Sequence, residues 1–111
     1  MSVMLQIKFD LDTNKQGELF PIEGAKKLVE LPGLKWKVWT VDEESGEGSG
    51  LYLYATRRDA EIRAKKAIPH LTSMNGVSNV TTQIFEILEE HSEITRAPLD
   101  VAANPSYGEE Y

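Results

Sequence analysis

The chain has 111 residues, no cysteine and a formal net charge of -6, with 41% hydrophobic and 27% charged residues. That length fits one domain able to bury its own core; the composition is that of a folded globular chain, and no apolar run approaches the roughly 20 residues that cross a bilayer. Without cysteine there is no disulfide framework, zinc-thiolate site, iron-sulfur cluster or thiol nucleophile, and the excess of acid over base argues against nucleic acid as a partner.

The opening segment has none of the features of a secretory signal, so a cytoplasmic location is expected. "VMLQIKF" sets Val3, Leu5, Ile7 and Phe9 at period two, the pattern of a strand with one apolar face. The turn-rich "DLDTNKQGE" leads into a helix reaching Glu30, on which Ile22, Ala25, Leu28 and Val29 return at spacings of three and four and Pro21 suits the first turn. "LPG" stops it. "LKWKVWTV" and "GLYLYAT" read as two antiparallel strands separated by an acidic, glycine-rich loop, "DEESGEGSG".

A second helical pattern runs from Arg57 to His70, with Asp59 near the positive end of its dipole and Pro69 closing or bending it. After a turn at Asn75-Gly76, "VTTQIFEILEE" is the last strand. Residues 1–100 are expected to form the domain, and the polar stretch 101–111 a frayed tail.

The order β-α-β-β-α-β predicts an α+β, ferredoxin-like fold: a four-stranded antiparallel sheet with two helices on one face. Apolar side chains occupy both registers of the later strands, with Leu51 and Leu53 against Tyr52 and Tyr54, and Ile84 and Leu88 against Phe85 and Ile87. Burial on both faces in so short a chain points to a homodimer. The two tryptophans then divide: Trp36, with Leu34 and Val38, is expected toward the helices, and Trp39, with Lys35, Lys37 and Val41, toward the barrel or interface.

The series "LQIKF", "LPGLKWKVWT", "GLYLYAT", "GVSNVTTQIFEI" and "ITRAPLD", spanning Met4 to Asp100, resembles the YdhR-type monooxygenases of the dimeric α/β barrel superfamily. The resemblance implies a ferredoxin-like fold dimerised sheet against sheet, with a ligand cleft between each sheet and its helices. It also implies a cofactor-independent monooxygenase whose partners are dioxygen and a small apolar or aromatic, quinol-like compound. Haem is not expected: the haem-degrading relatives use an asparagine on the first strand where Gln6 stands here, and no tryptophan precedes the second helix.

Oxygenation without a cofactor needs a substrate that becomes a carbanion or phenolate able to reduce dioxygen. The protein supplies a dry pocket, a proton acceptor and donors to developing oxyanion charge. His70 is the natural proton acceptor and Tyr52 the hydroxyl that assists it, the expected catalytic pair. Trp36 and Trp39 offer planar faces for stacking, Tyr54 a second hydroxyl, and Met74 and Asn75 a rim. His91, among the acids of "EEHSE", is expected at the surface. No metal-ligand spacing occurs, and "GEGSG", lying between strands rather than before a helix, does not suit a phosphate. A cleft of this kind also serves a non-catalytic binding protein, or an isomerase or lyase, and the residues leave those alternatives open.

Overall fold

The computed structural model describes residues 2–12 and 20–109; most of the turn-rich connection, residues 13–19, lies outside them. The elements are β1 (Val3–Leu11), α1 (Ile22–Leu28), β2 (Leu34–Asp42), β3 (Glu47–Tyr54), α2 (Arg57–Thr72), β4 (Val77–Glu86) and α3 (Glu89–Ile94). All strand pairs are antiparallel, in the order β2-β3-β1-β4. This is the ferredoxin-like sheet that the pattern predicts.

β1 lies at the centre because its period-two face is wholly apolar: Val3, Leu5, Ile7, Phe9 and Leu11 are all buried. Tyr52 and Tyr54 of β3 pair with Leu5 and Val3 and so share that face. α2 covers it with Ala60, Ala64, Ala67 and Leu71, one helical stripe whose small side chains let the helix lie close. Its start is fixed by Thr56, whose hydroxyl accepts from the Asp59 N–H and donates to the Asp59 carboxylate. Pro69 does not end this helix, which continues to Thr72.

Four local features depart from the sequence reading. α1 buries none of its residues; Ala25 and Leu28 are half-buried, but Ile22 and Val29 are 68% and 61% exposed, because two turns of helix present only one stripe to the sheet. β3 begins at Glu47, so Gly48 and Gly50 belong to a strand, and the turn proper ends at Gly46, whose φ of 76° favours glycine. β4 ends at Glu86, and the acids that follow open the short helix α3 instead of extending the strand.

The fourth departure is a bulge in β2 between Leu34 and Trp36. Leu34 stays on the helix face opposite Tyr54, but the extra residue turns Trp36 and Val38 to the far face and brings Lys37, Trp39 and Val41 to the helix side. The expected division of the tryptophans is therefore reversed.

The polar C-terminal stretch, for which composition predicts fraying, carries a set of bonds to three elements. Asn104 Nδ2 donates to the Val29 and Leu31 carbonyls at 2.7 and 2.8 Å, satisfying the open end of α1. The Ser106 hydroxyl donates to both carboxylate oxygens of the buried Asp59 at 2.8 and 2.9 Å, and the Tyr107 N–H reaches the same group. Gly33, at φ 75°, lies so close that any Cβ there would collide with the Asp59 carboxylate. These residues are polar because they cap and bridge, which composition alone does not distinguish from solvation.

Candidate functional site

A cavity of about 440 Å³ lies between the helix face of β1, β2 and β3 and the helices. Gly48 and Gly50 leave no side chain on this face of β3, and neighbouring side chains lie across both positions. A Cβ at Gly50 would lie 2.8 Å from Lys37 Cε and 2.9 Å from the Tyr52 ring, and one at Gly48 2.6 Å from the Phe9 ring. α1 supplies Gly24 and Leu28 to the wall, and α2 supplies Arg63, His70 and Leu71. Phe20 closes the cavity beside α1, its ring 5.7 Å from Phe9 and 5.8 Å, edge-on, from Trp39.

The titratable side chains on this wall are Lys37, Tyr52, Arg63 and His70; among the described residues no carboxylate lines it. Lys37 Nζ sits 3.3 Å from the centre of the Trp39 ring and 4.5 Å from that of Tyr52. Burial, and then the charge of Arg63, bring its pKa down from 10.5 to about 7. Burial pushes the Tyr52 phenol up, against the charge and hydrogen bond of Arg63, so Tyr52 is a hydrogen-bond donor throughout the physiological range. Arg63 Nε is buried without a hydrogen-bond partner.

Of the residues singled out in the sequence, Tyr52, Trp39, His70 and Met74 meet in this cavity. Trp36 does not. It lies on the far face, and its Nε1–H is already donated to the Pro98 carbonyl at 2.9 Å, so neither its ring nor its donor faces the cleft. Tyr54 stacks behind Tyr52 with centroids 6.1 Å apart, fully buried and off the cavity wall, its hydroxyl without a partner and its phenol pushed up by burial. Asn75, exposed in the turn after α2, is not on the wall. Gln6 sits at an even position of β1 and belongs to the far face.

Lys37 and Arg63 are the residues that sequence reasoning missed. Period two already placed Lys37 beside Trp39; the bulge decides which side they face. A second hollow of similar volume lies on the far face between Trp36, Leu88, His91 and Pro98. Size does not separate the two, but chemistry does: the first gathers two cations, a phenol and an imidazole, and holds the group whose acidity is most altered in the useful range.

Fold and cavity together define an α+β, ferredoxin-like protein with a cavity between sheet and helices. Residues 4–98 match the family model described as "Putative mono-oxygenase ydhR", and the chain belongs to that family. No curated protein matches it.

Proposed function

We propose that the protein is a cofactor-independent monooxygenase of the cytoplasm, acting on a small aromatic or quinol-like compound in the cavity between sheet and helices. The observation that carries this reading is the cavity wall itself: aromatic rings from Phe9, Phe20, Trp39 and Tyr52 around about 440 Å³, with Lys37, Tyr52 and His70 on the same wall. In such a reaction a phenol with a free para position loses its O–H proton, and the electron-rich ring reduces dioxygen. One oxygen atom stays as the quinone carbonyl; the other leaves as water with the two displaced hydrogens. The roles proposed for the protein are to hold the ring against Trp39, to donate to oxygen from Tyr52 and to move protons through His70.

A second copy of the chain is proposed to cover the far face of the sheet. Support comes from Val38 and Phe85, 46% and 41% exposed there, beside half-buried Met4 and Leu51.

The test is oxygen uptake, with product mass analysis under ¹⁸O₂, against a panel of phenols and hydroxylated polycyclic aromatics with a free para position, without added flavin, metal or haem. Label from dioxygen is expected in the product, with the rate lowered about 10²-fold in His70→Ala and about tenfold in Tyr52→Phe. Saturable quenching of tryptophan fluorescence without uptake would make the protein a binding module, and conversion under nitrogen an isomerase or lyase.

A further inference from the structure

An acidic chain, with 18 Asp and Glu against 12 Lys and Arg, keeps every carboxylate of its described residues off the wall of this cavity and places two cations there. Among the described residues the ion pairs involve Lys8, Arg57 and Arg58, and neither Lys37 nor Arg63. Lys37 is held instead on the faces of Trp39 and Tyr52, and one guanidinium nitrogen of Arg63 is buried and unpartnered. A buried cation is stabilised by an anion, and a ligand in the cavity is placed to supply one.

Resting on the cavity being the ligand site, we infer that its ligand is an acidic hydroxyaromatic or enolic compound, bound as the anion with its oxygen between Lys37 and Arg63, and that Lys37 Nζ accepts the hydroxyl proton, leaving to His70 the later proton transfers of the reaction. The O–H bond breaks and an N–H bond forms on Lys37; above neutrality the amine is free to take that proton, and below it the proton leaves to solvent and the ammonium already present pairs with the oxygen. The remaining titratable groups facing Lys37 are Arg63 and His70 from α2 and Tyr52 from β3; the wall supplied by α1 and β1 has none. Phe9, Phe20 and Trp39 line the same wall, so an aromatic anion covers apolar surface that a small inorganic one leaves bare.

The probe is 2-hydroxyanthraquinone, whose visible absorption moves to the red when its hydroxyl ionises, with anthraquinone as the matched ligand lacking the acidic group. Tryptophan quenching reports binding and the dye spectrum reports ionisation. Bound to the protein, the dye is expected to ionise at a pH lower by about one unit or more, equivalent to at least about tenfold preference for the anion. In Lys37→Met that preference should be lost while anthraquinone still binds; in Lys37→Arg the anion should still be preferred, but binding near pH 8 should release a proton to the buffer, seen by calorimetry in two buffers of different ionisation heat. Dye bound in its neutral form, or an unchanged spectrum in Lys37→Met, overturns the inference. Absence of quenching by either compound overturns it together with the reading of the cavity, whereas anion binding without oxygen uptake leaves it standing and removes only the monooxygenase.

Discussion

At the residue scale, Lys37 ties acidity to stability. Its folded pKa of about 7 lies below the 10.5 of an unfolded lysine. Below pH 7 both states carry the proton and the folded chain bears the full penalty of a buried charge. Between pH 7 and 10.5 the unfolded chain binds more protons, so the penalty is relieved and stability from this group rises with pH. Lys37→Met should therefore be more stable than the parent at about pH 6, by on the order of 2 kcal/mol, with the gap closing toward about pH 10. Urea unfolding at several pH values measures this; a gap that stays constant would mean that the lysine is not desolvated. Tyr54 acts in the opposite sense: its raised pKa makes stability fall only above its ordinary value of 10.0, where the unfolded phenol ionises.

At the element scale, the C-terminal stretch, the β2 start and the α2 start meet on one buried carboxylate. Asp59→Ala would leave the Thr56 and Ser106 hydroxyls and the Tyr107 N–H without their acceptor. A loss of about 2–4 kcal/mol is expected in urea unfolding, and about 1 kcal/mol for Ser106→Ala. If Asp59→Ala unfolds with the parent, the knot is decorative.

The same region shows what sequence patterning conveys. β1 was legible because burial of one face imposes period two on the side chains themselves. The bulge at Leu34–Trp36 was not, since an inserted residue changes no residue type while moving every later side chain to the other face. Gly48 read as loop because glycine favours turns, though in the strand it is a missing side chain whose place Phe9 takes, as Lys37 does at Gly50. Of the site, Tyr52, Trp39, His70 and Met74 were named from sequence, but the Lys37–Arg63 pairing joins β2 to α2 and has no local signature.

At the scale of the whole molecule, the half-open far face and the charge distribution carry the remaining consequences. If a second copy covers Val38 and Phe85, sedimentation at micromolar concentration should give twice the 12.5 kDa of the chain. Replacing Val38 with Glu should shift the population to monomer, because a carboxylate would then be buried against an apolar partner. A single 12.5 kDa species in the parent would leave that face without a partner.

The segregation of the described carboxylates away from the cavity also bears on time rather than affinity. An approaching anion meets the field of a body with net charge -6 before it meets Lys37 and Arg63. Beyond a Debye length of about 8–10 Å at physiological salt the repulsion is screened, while the short-range attraction inside the pocket is affected far less. Adding salt should thus hasten arrival of the ionised dye, a rise of about twofold in stopped-flow association rate between low and physiological ionic strength, opposite to the slowing seen when charge steers a ligand in. An arrival rate that falls with salt would place the cations' reach outside the mouth. If it rises, the protein is slow to admit anions, and a brief pulse of ligand fills the cavity less than a sustained level does.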